Sequence, residues 1–165
     1  MAKTISFGLS LKEVQAAKEL VESYRVELAL KLNELIGALT DRGAEIAKIT
    51  VQELKAFRTG ALENSIGGYF SPSTGVGIIY ANSPYAVYVE FGTGIKGKES
   101  DKHPKSNEIG WQHDINEHGE AGWWYPTNDP NLIRYTTSDG KTFGWTKGMP
   151  ARPFMYETAR RLESE

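Results

Sequence analysis

Proline and glycine are distributed very unevenly along this chain of 165 residues. All seven prolines and fourteen of the seventeen glycines follow residue 57, so the first third lacks most of the residues that interrupt regular structure. The first third can therefore form long helix, whereas the rest must be a succession of short elements and turns. The length suits one domain, residues 1–165, that buries a core without disulfides.

The first third carries the signals of a helix that begins at Leu11. Ser10 and Glu13 have the spacing of a capping box, and Leu9 and Val14 occupy the positions of a hydrophobic staple. Apolar residues then recur every three or four positions. They are Val14, Ala17, Val21, Tyr24, Leu28, Leu32, Leu35 and Leu39. This pattern predicts one continuous apolar stripe.

Two questions about this helical arm, residues 1–57, stay open at the level of sequence. Residues 40–43 end in Gly43 and predict a break into a helix pair, although tertiary packing could hold Gly43 within one long helix. We interpret the stripe as facing the core of its own chain, because that is the commonest use of an amphipathic helix. A coiled-coil seam to another chain is the alternative.

After residue 57 the pattern predicts short strands and helices. Residues 58–94 read as a hairpin, with strands at 65–70 and 75–80, and a short helix over 84–91 for which a strand is the competitor. Residues 95–121 are predicted to form a long, mobile loop. Residues 122–165 read as a second hairpin, which turns at Ser138-Asp139-Gly140, and a terminal helix opened by Pro153. The fold class is α+β, a helical arm packed on a small antiparallel sheet.

Composition excludes several classes of function. The formal net charge of −2 gives no basic field for tight DNA binding, and the absence of cysteine removes thiolate catalysis and cysteine-based metal sites. His113 and His118 are five residues apart, which does not match the spacing of zinc proteases. No G-x-S-x-G or phosphate-loop motif occurs. We predict no enzyme activity, no catalytic residue, no metal and no cofactor.

Targeting signals are also missing from the sequence. No apolar run approaches the length of a membrane span, and the first residues lack the apolar core of a signal peptide. We expect a protein made in a cytoplasm without a membrane partner.

All four tryptophans lie in the second half of the chain, at 111, 123, 124 and 145. Trp123 and Trp124 are adjacent, so in a strand they point to opposite faces and cannot both enter one core. At least one of them is therefore expected to meet a second chain or another layer. Core and interface packing are the favoured role of these rings, and a carbohydrate-binding platform is the alternative.

Four segments in order carry a family resemblance. They are residues 58–66 (RTGALENSI), 85–94 (YAVYVEFGTG), 145–149 (WTKGM) and 150–155 (PARPFM). Together they resemble the tail-component family of long-tailed bacteriophages and prophages, the small head–tail joining or tail-completion proteins. The resemblance covers nearly the whole chain after Leu11, although residues 97–135 form a longer stretch than the shorter members carry.

The resemblance implies a structural virion protein of the tail or neck, similar to tail terminators. Its expected partners are copies of itself in a ring, typically of six, together with the tail tube protein and a head-side connector or stopper protein. Genome DNA would pass through without specific binding, and near-neutral charge suits such a conduit. The lysines of residues 96–105 would face a partner ring or solvent.

We assign the subunit or partner interface to seven residues of these segments and of the tryptophan cluster. They are Tyr88, Glu90, Phe91, Thr93, Trp124, Arg152 and Phe154. Glu90 and Arg152 are expected to form an ion pair, either within the subunit or between neighbours. The glycines that flank Thr93 permit tight backbone turns, and the prolines around Arg152 stiffen the backbone that presents it.

Overall fold

A computed structural model describes residue 8 and residues 10–56, 58–113 and 122–165. The fold is α+β, as the sequence predicts: a long N-terminal helix, small antiparallel sheets and a C-terminal helix. The helices are α1 Leu11–Glu53, α2 Ala61–Asn64, α3 Ala86–Phe91, α4 Gly94–Glu99 and α5 Phe154–Glu163. The strands are β1 Ile66–Ser71, β2 Val76–Ala81, β3 Trp123–Pro126, β4 Tyr135–Thr136 and β5 Thr142–Thr146.

Helix α1 is a single helix of 43 residues, about 64 Å long. It begins at Leu11 behind the predicted capping box, in which Glu13 N–H donates to Ser10 Oγ and the Glu13 carboxylate accepts from Ser10 N–H. The Leu9 half of the predicted staple lies outside the described residues.

The predicted break at residues 40–43 is wrong, and the neighbours of Gly43 give the reason. A methyl group at Gly43 would overlap the Ile79 side chain and press on Leu162, so helix α1 packs closely on β2 and α5 at this residue. Tertiary packing therefore holds Gly43 in helical geometry despite its low helix propensity.

The core lies where the second half of α1 meets the β1–β2 hairpin and α5. Strands β1 and β2 pair in antiparallel register with Tyr69 opposite Ile78. Both strands begin and end one residue later than predicted. Their inner face rests on α1, and Gly68 and Gly77 both lie against Thr40. The buried apolar residues that form this core cluster are Ala44, Ala47, Val51, Ala56, Leu62, Ile66, Ala86, Val89 and Phe154.

The second sheet has the order β3-β5-β4, and both pairings are antiparallel. Strands β4 and β5 form the predicted hairpin around Ser138-Asp139-Gly140, although β4 contains only Tyr135 and Thr136. Strand β3 pairs with the other edge of β5 and places Trp124 opposite Trp145.

Two short helices follow the first hairpin. Residues 86–91 form helix α3 rather than the competing strand, and the helix begins two residues later than predicted, with Tyr85 as its N-cap. The prediction of a loop throughout 95–121 is wrong, because Gly94–Glu99 is helical. Helix α5 starts directly after Pro153, as predicted. None of the described helices is long and apolar enough to cross a membrane.

Candidate assembly surfaces

The first half of α1 projects away from the other described elements. Within the predicted helical arm of residues 1–57, only residues 11–32 are called the arm from here on; all of them are exposed except Ala17. Asn33 marks the end of the arm, because its Nδ2 donates to Pro72 O at 3.2 Å and burial begins there. The interpretation of the apolar stripe as core-facing is therefore wrong for the arm.

The stripe stays exposed even where α1 packs on the hairpin. Leu35 and Leu39 are 54% and 38% exposed, whereas Thr40 is buried and Ile36 is half-buried. Successive residues of a helix are rotated by about 100°, so Leu35 and Leu39 point about a quarter turn away from the face that meets the hairpin. The helix thus presents two faces: one that meets its own hairpin and another, the stripe, that is open.

Local interactions favour helical structure in the arm. Lys31 Nζ donates to Glu27 Oε1 at 2.9 Å, Arg25 pairs with Glu22 at 3.0 Å, and most of its residues are good helix formers. These exposed pairs stabilise a helix only modestly. The arm therefore contributes exposed apolar surface along a helix and contributes little to the core.

Three of the four segments that carry the resemblance meet at a second place, which we call the junction. Thr93 and Met149 form an isolated antiparallel bridge, with N–O distances of 2.9 and 3.0 Å, and Arg152 N–H donates to Val89 O at 2.8 Å. Gly92 and Gly148 have positive φ angles of 76° and 91°. A Cβ at either position would collide with backbone atoms of the opposite segment, so both glycines are required for this close approach.

Glu90 is the charged residue at the centre of the junction, and it is only 6% exposed. Its carboxylate accepts the N–H groups of Met155 and Tyr156, both at 2.9 Å, at the start of α5. Burial raises the pKa of the Glu90 carboxyl above its ordinary value, while the two N–H groups and His103 oppose that rise. Glu90 thereby ties α3 to the first turn of α5.

His103 is the third partner of Glu90, with Nε2 at 3.0 Å from Oε1. Lys105 N–H donates to His103 Nδ1 at 2.9 Å, which makes Nδ1 an acceptor and assigns the proton to Nε2. A neutral histidine therefore donates to Glu90. The predicted pairing of Glu90 with Arg152 within the subunit is wrong, because the Glu90 carboxylate instead accepts hydrogen bonds from His103 and from the N–H groups of Met155 and Tyr156.

Aromatic packing fixes the segment around His103. Phe91 lies between His103 and Trp111, with ring centroids 4.1 and 5.0 Å away, and Trp111 Nε1 donates to Gly92 O at 3.0 Å. The stretch 100–111 is thus anchored on α3 rather than a mobile loop. Its lysines, Lys102 and Lys105, are exposed.

The seven predicted interface residues fall into three groups. Glu90, Thr93 and Phe154 are buried within the subunit, where their contacts are made by this chain. Tyr88, Phe91 and Arg152 are half-buried around the same junction. Trp124 is 51% exposed and lies on the β3-β5-β4 sheet, apart from the junction.

Trp124 belongs to a group of exposed rings on one face of that sheet. Its ring centroid lies 5.0 Å from that of Trp145 and 6.2 Å from that of Tyr135. Trp123 points to the opposite face and is near Gly94. The expectation that the two adjacent tryptophans separate is confirmed. We call Trp124, Trp145 and Tyr135 the aromatic platform.

Sequence reasoning missed the role of His103, because a single histidine between exposed lysines gives no periodic or spacing signal. The arrangement of the other histidines adds no site: across the described residues, no three His, Cys, Asp or Glu side chains cluster as metal ligands. His118 lies outside the described residues.

Comparison of the chain with protein-family models, with curated proteins and with solved structures finds no match in any of the three.

Proposed function

We propose that this chain is a structural virion protein of a long-tailed bacteriophage or prophage, a tail-completion or head–tail joining subunit that assembles as a ring at the head-proximal end of the tail. The observation that carries the proposal is the arm, a helix whose apolar stripe has no cover within the described part of the chain. Monomeric proteins rarely expose apolar patches of this extent, whereas assembly subunits expose them until they meet their partners.

The spatial arrangement of the resembling segments supports the same proposal. Residues 85–94 and 145–155, which are distant in sequence, form one junction through the Thr93–Met149 bridge and the Glu90 contacts. Residues 58–66 contribute Leu62 and Ile66 to the core beside them. The segments that carry the resemblance thus form part of the core and the junction of the subunit. Residues 97–135, which are longer than the corresponding stretch of the shorter family members, supply part of its surface.

The distribution of surfaces suggests how the subunit would act. A rigid junction would fix the angle between the arm-bearing core and the β3-β5-β4 sheet, so that the arm and the aromatic platform could each meet a different neighbour. The weak net charge of −2 would let DNA pass without phosphate contacts that slow its transit.

Inactivation of the gene in an inducible phage is the direct test. Loss of the protein should leave separate filled heads and tails, or tails with a faulty head-proximal end, in electron micrographs. Expression of the protein in trans should restore particles, and immunogold labelling should mark the neck. Normal infectious particles without the protein would overturn the proposal.

The aromatic platform favours a second candidate function, binding of a carbohydrate or cell surface. Trp124, Trp145 and Tyr135 are exposed by 51%, 42% and 56%, and exposed rings of this kind can stack on sugar rings. Glycan-array binding that disappears in W124A and persists in Y85A, a matched exposed aromatic outside the platform, would support it. Absence of glycan binding by the wild-type protein would remove it.

A further inference from the structure

The stripe on α1 is left uncovered by the described residues of its own chain. Helix α1 is continuous, and the face that carries Ile36 and Thr40 is already against the hairpin. The stripe from Val14 to Leu39 therefore cannot fold back onto its own core without breaking the helix. Its side chains are about half exposed, for example Leu28 at 53% and Leu35 at 54%.

The length of the stripe indicates which surface covers it. From Val14 to Leu39 it extends about 38 Å. A shorter apolar face is the outer side of the β1–β2 hairpin, with Tyr69, Val76, Ile78 and Tyr80, and its six-residue strands span only about 20 Å. A second arm offers the same 38 Å, so it is the surface that covers the whole stripe.

Charge on the two flanks of the stripe indicates the orientation. Helical geometry places Lys18, Glu22 and Arg25 along one flank and Glu13, Glu27, Lys31 and Glu34 along the other, so the first flank is net basic and the second is net acidic. Parallel helices bring opposite flanks together, whereas antiparallel helices bring like flanks together. The flanks of this stripe are complementary in the parallel orientation.

We infer that the stripe of α1, Val14 to Leu39, docks in parallel on the same stripe of a second copy of this chain. The inference goes beyond the proposed function, because a contact between identical stripes closes at two copies and is additional to the contacts that would close a ring. It concerns purified protein and stands or fails independently of any place in a virion. A footprint of about 38 by 10 Å is roughly half the area that each partner buries in a stable complex. Two copies alone are therefore expected to pair weakly, at high concentration.

Disulfide trapping tests this inference cleanly because the chain contains no cysteine. Two full-length single variants, V21C and L35C, place a thiol near each end of the stripe. L30C is the matched control, since Leu30 is 59% exposed but lies on the opposite side of the helix. None of the three positions is in the core, so circular dichroism should report an unchanged fold.

Parallel docking places each thiol beside its counterpart. V21C and L35C should each form covalent dimers at least about tenfold faster than L30C, because the bound pair raises the effective thiol concentration. Equal rates in all three variants would overturn the inference, since they would indicate random collision. A mixture in which V21C joins L35C in preference to itself would indicate antiparallel arms and overturn it as well.

A fourth variant tests the hairpin as the occupant. I78C places a thiol on the outer face of the hairpin, where Ile78 is 49% exposed. Preferential joining of L35C to I78C in a mixture would mean that the arm docks on the sheet of a neighbour, which also overturns arm-to-arm docking. Formation of the position-matched product alone, in which L35C joins L35C, would support arm-to-arm docking.

Discussion

The Glu90–His103 pair is a polar contact built into an apolar part of the molecule. Glu90 and His103 are 6% and 5% exposed, and each fills its hydrogen-bonding positions with the other and with backbone N–H groups. Buried polar groups of this kind contribute little net stability when they are satisfied and cost much when a partner is lost. The pair therefore makes the junction sensitive to single substitutions.

Replacement of His103 should expose this sensitivity. H103A removes the donor to Glu90 and the ring that packs on Phe91 and Tyr156, so we expect a loss of about 3 kcal/mol in the free energy of unfolding. Urea denaturation at neutral pH measures it. K102A, at the exposed neighbour, is the control and should remain within about 0.5 kcal/mol of the wild type. Equal stability of H103A and K102A would contradict a structural role for the pair.

The Glu90 carboxyl should also give the stability a pH dependence of known sign. Burial raises its pKa above the ordinary value of 4.5, so the folded chain holds the proton more tightly than the unfolded chain does. The stabilisation that results is complete below the ordinary pKa and is lost as the pH rises through the folded pKa. The free energy of unfolding of the wild type, relative to E90Q, should therefore fall as the pH rises from about 4.5 through the raised pKa of Glu90 in the folded chain.

Urea denaturation of both proteins at a series of pH values measures this difference. E90Q keeps the shape of the side chain and removes its titration, so subtraction isolates Glu90 from the other carboxylates. Parallel profiles for the two proteins, or a difference that grows with pH, would contradict the sign.

Helix α1 contains two glycines in very different surroundings. Gly37 has Phe70 at ordinary contact distance, 3.5 Å from an added Cβ, whereas the same atom at Gly43 would overlap Ile79. Alanine is favoured over glycine by about 1 kcal/mol in a helix interior. G37A should thus raise the free energy of unfolding by about 0.5–1 kcal/mol, while G43A should lower it through overpacking.

Thermal and urea denaturation of the two variants measure the contrast. Each is the control for the other, because helix propensity changes equally in both. A G43A variant as stable as G37A would mean that Ile79 and Leu162 move aside without cost, and that close packing is not what retains Gly43.

Among the helices and strands, sequence predicts correctly the features that depend on interactions between residues close together in the chain. The start of α1 follows from Ser10 and Glu13, and the separation of Trp123 from Trp124 follows from the two-residue period of a strand. Periodicity predicts that one face of α1 is apolar but not what covers that face, and for this reason the prediction of a core-facing stripe is wrong for the arm. That information lies in tertiary contacts, such as those of Thr40 with Gly68 and Gly77.

The junction likewise contains features that the sequence predicts and others that it does not. The close approach at the junction depends on Gly92 and Gly148, whose positive φ angles are typical of glycine, and the sequence indicates turns at such residues. Sequence does not predict His103 as the partner of Glu90, because His103 lies in a segment without periodicity. The packing of its ring on Phe91 buries it beside Glu90. Opposite charge favoured Arg152, but the N–H groups of α5 already satisfy the carboxylate.

For the molecule as a whole, the core supplies most of the buried surface and the arm supplies exposed apolar surface. The core joins the second half of α1 to the hairpin and α5, whereas residues 11–32 contribute surface and almost no burial. A part that buries little in its own chain contributes little to its folding. Its apolar residues are instead available for a partner.

Deletion of residues 1–30 separates these roles. The shortened chain keeps Asn33 and its bond to Pro72, so its melting temperature at low protein concentration should lie within a few degrees of that of the full chain. Self-association at high concentration, measured by analytical ultracentrifugation, should be lost. Low concentration matters for the first measurement, because association would stabilise the full chain by mass action. A drop of more than about 10 °C would show that the arm supports its own core and is not primarily a contact for other copies.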